Sequence, residues 1–90
     1  MQFEWDTANA AENLAKHGVS FEEAATVFRD TLSATGFDPA HSVGERRFIT
    51  FGISNTGRLV VVSHTDEGST IRIISARLAT RQERKIYEKG

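Results

Sequence analysis

Between Arg46 and Leu78 the chain alternates apolar and polar residues, and two short polar breaks cut this stretch into three. Arg46–Ser54, Arg58–Thr65 and Thr70–Leu78 each read as a strand with a period of two. The breaks, Asn55-Thr56-Gly57 and Asp66-Glu67-Gly68-Ser69, carry the Asn, Asp and Gly that supply positive φ in tight turns. Strands joined so closely must run antiparallel, and a meander with one apolar side needs a second layer to cover it.

The flanking segments supply that layer. Asp6 stands where an N-cap belongs, and Ala8–His17 reads as a helix closed by Gly18. Ser20-Phe21-Glu22-Glu23 is a capping box in which Ser20 caps and Glu23 reaches back. Phe21, Ala24, Ala25 and Phe28 follow at helical spacing and predict one apolar face. Thr80 and Glu83 form another box, which starts a last helix at about Arg81. Phe3–Asp6 reads as a short strand or extended lead-in, Thr31–Phe37 as a weak strand, and Asp38–Glu45 as a polar loop holding the only proline. No repeat or linker interrupts the chain, so residues 1–90 are expected to form a single α+β domain. Two N-terminal helices pack on one face of an antiparallel sheet, and a C-terminal helix follows.

Ninety residues bury about 60–65% of their unfolded surface, enough for one two-layer core. With 39% hydrophobic and 26% charged residues this is the composition of an ordinary soluble globular domain. The absence of cysteine removes disulfide and thiolate chemistry, and the longest apolar run, Leu59–Val62, cannot span a bilayer. The start has neither the basic nor the apolar region of a signal peptide. These features predict a cytoplasmic protein with no membrane partner.

Charge is unevenly spread. Residues 1–45 hold two basic and eight acidic residues, and residues 46–90 hold nine basic and four acidic. Either the two halves fold together and pair their charges, or the second half presents a cationic surface to an anionic partner. A two-residue turn at Thr56-Gly57 would place Thr50 opposite Ser63, and one at Glu67-Gly68 would place Ser63 opposite Arg72 and Arg58 opposite Arg77. Arg46, Phe48, Thr50, Ser63, Thr65 and Arg72 would then share the uncovered face, while Ile49, Phe51, Ile53, Val60, Val62, Ile71 and Ile73 would lie under the helices. A guanidinium beside hydroxyls suits a phosphate, or an ion pair with Glu45 or an acidic residue of the first half. Arg77, five residues from Arg72 in a regular strand, falls on the opposite face. An anion beside it is a substrate phosphate, a helix C-terminus or a carboxylate. Arg81 and Arg84 share a face of the last helix, with Lys85 beside them.

No His-x-x-x-His or Glu-x-x-His spacing, P-loop or G-x-S-x-G pattern occurs, so neither a metal nor a cofactor is expected. His64 falls at a strand end on the core side, and His41 in the loop. Glu45, next to Arg46 and Arg47, is the carboxylate best placed to act as a base near a phosphate.

With these residues in view, the chain resembles the BrnT family of toxins from bacterial toxin–antitoxin pairs. The matching stretches are Phe3–Asp6, Lys16–Ala24, His41–Gly52, Gly57–Val62, Ile71–Arg77, Glu83-Arg84 and Tyr87. The resemblance implies a RelE-like ribonuclease fold, RNA cleavage without a metal, and growth arrest through inhibition of translation. It also implies neutralisation by a BrnA-type antitoxin, with DNA bound only through the antitoxin complex. The family's charged positions map onto Glu45, Arg47, Arg72, Arg77 and Arg84, with Lys16 and His17 as further candidates. On this reading Arg72, Arg77, Glu45 and Arg47 carry the chemistry, and Arg46, Arg58, Arg81, Arg84, Lys16 and His17 bind RNA. A non-catalytic RNA-binding domain or a protein-interaction module on the same basic face are the competing readings.

Overall fold

The computed structural model describes residues 1–41 and 44–89; Ser42 and Val43 of the expected polar loop, and Gly90, lie outside the described residues. Its order is β1 (Gln2–Glu4), α1 (Thr7–His17), α2 (Phe21–Thr26) running into a 3-10 turn (Val27–Arg29), β2 (Ala34–Phe37), a second 3-10 turn (Pro39–His41), β3 (Arg47–Ile53), β4 (Leu59–Glu67), β5 (Thr70–Leu78) and α3 (Arg81–Lys89). The five strands form one sheet in the order β1-β5-β4-β3-β2, and only β1 runs parallel to its neighbour.

The caps form where the sequence places them. The Asp6 side chain accepts from the N–H groups of Ala8 and Asn9, and Gly18 ends α1 in the left-handed region at φ 68°. Glu83 N–H donates to Thr80 Oγ1, and Thr80 N–H donates to the Glu83 carboxylate, so the second box closes fully. The first box closes by half: Ser20 Oγ accepts from Glu23 N–H, but the Glu23 carboxylate turns away. It accepts instead from Ser54 Oγ, Thr56 Oγ1 and the Arg58 guanidinium, which ties α2 to the first hairpin.

The Arg58 hydrogen bonds, with those of Thr56 and Ser54, hold the Glu23 carboxyl down at about 2 although burial opposes this. Glu83, gripped mainly by Arg77, is also held at about 2. Both pKa values are depressed on folding, so the stability they confer is complete above the ordinary glutamate range, near 4.5, and is lost as pH falls towards 2. The thermal midpoint is expected to decline steadily from about pH 5 to pH 2. In Glu23→Gln that decline should be shallower, and a slope equal to wild type would show that the clamp is not linked to folding.

Val19, Phe21, Ala24 and Val27 pack against Val60, Val62, Ile71, Ile73 and Ala76, with Phe3, Trp5 and Phe28 at the margin. α1 and β1 share the outer edge of β5. β1 pairs only with Thr70–Arg72, and beyond it Asn13 takes over the edge. Its amide donates to the carbonyls of Ala76 and Val19, at 2.8 and 3.0 Å, and its carbonyl accepts from Ala76 N–H at 3.1 Å. A side-chain amide thus does for one residue what a neighbouring strand would do.

Three features of the sheet differ from the sequence expectation. The first hairpin turns through three residues, Asn55–Gly57, flanked by the Ser54 N–H to Arg58 carbonyl bond, with Gly57 at φ 82°. Three residues where two were expected slide β3 by one position against β4, so Thr50 faces Val62 and Arg47 faces Thr65. The second hairpin turns at Gly68-Ser69, with Gly68 at φ 75° in the first central position, so Thr65, not Ser63, faces Arg72. Further along, Ile73 pairs with His64 and Ser75 with Ser63, which leaves Ile74 as a bulge.

Candidate nucleic-acid interface

Because strand side chains alternate, the register decides which cations share a face. Val60, Val62, Ile71 and Ile73 lie under the helices, so their alternates Thr65, Arg72 and Arg47 lie on the other side. Glu4, Arg72, Thr65 and Arg47 form one row across β1, β5, β4 and β3. The bulge at Ile74 reverses the alternation beyond it, so Ser75 and Arg77 join Arg72 on the open face. Arg77, expected on the opposite face, therefore stands on the same one, about 13 Å along the strand. Its cross-strand partner is Val61 and not Arg58.

The slip in the first hairpin corrects four further expectations. Phe48 and Thr50 face the helices, not the open side, and Ile49, Phe51 and Ile53 exchange places with them. Arg46 leaves the open face: its guanidinium lies 5.4 and 5.6 Å from the ring centroids of Phe37 and Phe48. The expected row of Thr50, Ser63 and Arg72 does not exist. Arg58 is clamped by Glu23 and also donates to the Gly18 carbonyl, a structural post between α2 and the hairpin.

Each open-face arginine has a carboxylate near it, so part of the charge asymmetry is cancelled by folding. The grip differs. Arg77 makes two hydrogen bonds to Glu83, at 2.7 and 3.0 Å. Arg72 stands 3.7 Å from Glu4, and Arg47 Nε stands 3.7 Å from Glu45, both beyond hydrogen-bond reach. The Arg72 side chain is 39% exposed and its Glu4 partner 49%, a pair that solvent screens well. An incoming phosphate could replace Glu4 at little cost, whereas Glu83 would be hard to displace.

Other expected cations surround this row. Arg81 and Arg84 are exposed on α3, whose Glu83 holds Arg77 and whose Tyr87 donates to Asp30, which follows the first 3-10 turn and also accepts from Ile53 N–H at the end of β3. That hydrogen bond pushes the Tyr87 hydroxyl up to about 12, so Tyr87 serves as an anchor. Lys16 and His17, in the last turn of α1, line a cleft of about 600 Å³ that meets the open face at Ser75. The structure thus brings Glu45, Arg47, Arg72 and Arg77 to one face with Lys16 and His17 at its rim, and sets Arg46 and Arg58 elsewhere.

His64 is 2% exposed on the helix side, between the rings of Phe28 and Phe48, and its Nε2 lies 2.7 Å from Thr50 Oγ1. Burial pushes its pKa below the usual range, so it stays neutral at pH 7. Although next to Thr65 in the chain, it lies on the opposite face of the sheet from the arginine row. Sequence reasoning placed Thr65 on the uncovered face but not opposite Arg72, and it missed Ser75, because the turn length decides the first and the bulge the second. Among the described residues no three His, Asp or Glu side chains converge as a metal site would require.

A family model described as "Ribonuclease toxin, BrnT, of type II toxin-antitoxin system" matches residues 5–83. Among solved structures the chain is similar to the Brucella abortus ribonuclease toxin BrnT, known from a crystal structure at 1.1 Å. The two are 24% identical, the match covers 90% of this chain and 99% of that one, and the TM-score is 0.64. At that identity the likeness shows the fold. No curated protein matches the chain.

Proposed function

The chain belongs to the family of BrnT ribonuclease toxins of type II toxin–antitoxin systems, and from that premise we propose that its open sheet face cleaves RNA without a metal ion. The observation that carries this reading is the row that sets Arg47 and Arg72 on either side of β4, on the face that α1 and α2 leave uncovered. Cleavage by the RNA's own 2′-hydroxyl forms a 2′,3′-cyclic phosphate as the bond from phosphorus to the 5′-oxygen breaks. It needs a proton accepted from that hydroxyl, negative charge stabilised on the phosphoryl oxygens, and a proton delivered from solvent to the leaving 5′-oxygen. Arg72 binds the scissile phosphate after exchanging Glu4 for it. Arg47 shares the developing charge, and Arg77 adds a more distant positive field. Guanidinium groups stay protonated, so they cannot take the proton, and Glu45 beside Arg47 is the base. Lys16, His17, Arg81 and Arg84 bind the flanking backbone.

Cleavage is expected to continue unchanged in excess EDTA, and to stop when the nucleotide at the cut carries 2′-deoxyribose. RNA bound with a steep salt dependence but left whole would favour the non-catalytic reading, which needs only the arginine row. In the cell, the same activity acts in the cytoplasm and inhibits translation. A BrnA-type antitoxin neutralises it and supplies the DNA contact of the complex. Co-expression of that antitoxin should relieve growth arrest, and persistent arrest would count against the pairing.

A further inference from the structure

Thr65 sits between Arg47 and Arg72 in the open-face row, directly opposite both. Its side chain is 2% exposed, and among the described residues its hydroxyl has no hydrogen-bond partner. A buried hydroxyl that makes no bond is destabilising, and such groups are few in native folds. Valine has the same shape, would suit a strand at least as well, and would leave nothing unsatisfied. A threonine here therefore calls for a partner that the described residues do not provide.

Its surroundings define that partner. Directly opposed residues in a sheet hold their Cβ atoms about 5 Å apart, so two guanidinium groups rise on either side of the hydroxyl. A neutral donor between two cations is complementary to an oxygen that carries negative charge. Arg72, the more exposed of the two arginines, is the side chain whose movement towards a phosphate would uncover Thr65. We propose that Thr65 is the third donor of a phosphate notch, its hydroxyl donating to a non-bridging oxygen of the RNA phosphodiester held by Arg47 and Arg72. This rests on the ribonuclease reading of the same face and adds a residue that no cation count would reveal. The hydroxyl transfers no proton; its bond shortens as charge gathers on that oxygen.

The test compares wild type, Thr65→Val and Thr65→Ser on an RNA oligonucleotide and on its two phosphorothioate diastereomers at the cut. Thr65→Val should slow cleavage at least about tenfold while melting at or above the wild-type temperature. Thr65→Ser should recover most of the rate. Wild type should cut one diastereomer more slowly than the other, and this preference should shrink in Thr65→Val. Cleavage by Thr65→Val at the wild-type rate would overturn the assignment of Thr65 alone, as would a lowered melting temperature, which would show that the hydroxyl is held inside the fold. If wild type itself leaves RNA uncut, the ribonuclease reading fails and this inference falls with it.

Discussion

Arg72→Ala is expected to reduce RNA cleavage at least about 100-fold and leave the melting temperature nearly unchanged. A rate loss of that size corresponds to about 2.7 kcal/mol of transition-state stabilisation, the low end of what removing one donor to a developing oxyanion costs. Stability should move by under about 1 kcal/mol, because the ion pair broken among the described residues is the exposed contact with Glu4 at 3.7 Å. Lysine is a point charge without the bidentate fork, so Arg72→Lys should keep RNA binding better than it keeps cleavage. Glu4→Gln makes the complementary case: with the competing carboxylate neutralised, RNA should bind at least as tightly as to wild type. Rates and melting curves on the same preparations decide the matter. An Arg72→Ala protein that cuts at the wild-type rate would remove the central assignment, and one that loses rate only by unfolding would make Arg72 structural.

The second large effect falls on stability. Asn13→Leu is expected to lower the unfolding free energy by about 3 kcal/mol, which for a domain of this size is a drop of about 15 °C in melting temperature. The leucine fills similar space but leaves the Ala76 N–H and the carbonyls of Ala76 and Val19 without their partner, and Ala76 is only 1% exposed. Each lost hydrogen bond costs about 1 kcal/mol or more when the remaining group is buried. Ala76 lies two residues beyond the bulge at Ile74 and between Ser75 and Arg77. Loosening this edge should therefore cost cleavage as well as stability. Chemical denaturation measures the first, and a loss below about 1 kcal/mol would mean that water replaces the amide at no real cost.

Local physics wrote much of the architecture into the sequence. Asp6, Ser20 and the Thr80–Glu83 pair cap the helices they were expected to cap, because a cap depends on only three or four neighbouring residues. The apolar spacing of Phe21, Ala24 and Ala25 marked the buried side of α2, and the period of two marked the three central strands to within a residue or two. β1 and the weak strand β2 were legible as extended segments, but not their pairing or their places at the two edges of the sheet. Glu23 shows the limit at a single residue. The motif predicts a carboxylate turned back on its own helix, yet Arg58, thirty-five positions later, offers a charged fork and wins.

From sequence alone come the element order, the caps, the two hairpins and the family to which the chain belongs. What the chain could not state in one dimension is which arginines stand together. One additional residue in the Asn55–Gly57 turn sends Arg46 to the helix side and brings Arg47 to the open face. The bulge at Ile74 then returns Arg77 to the side of Arg72. Strand side chains alternate with a period of two, so a shift of one position reverses every residue beyond it, and the energies that choose between registers lie in core packing and long-range pairing. The caps are local and could be read; the face of each guanidinium is a tertiary decision.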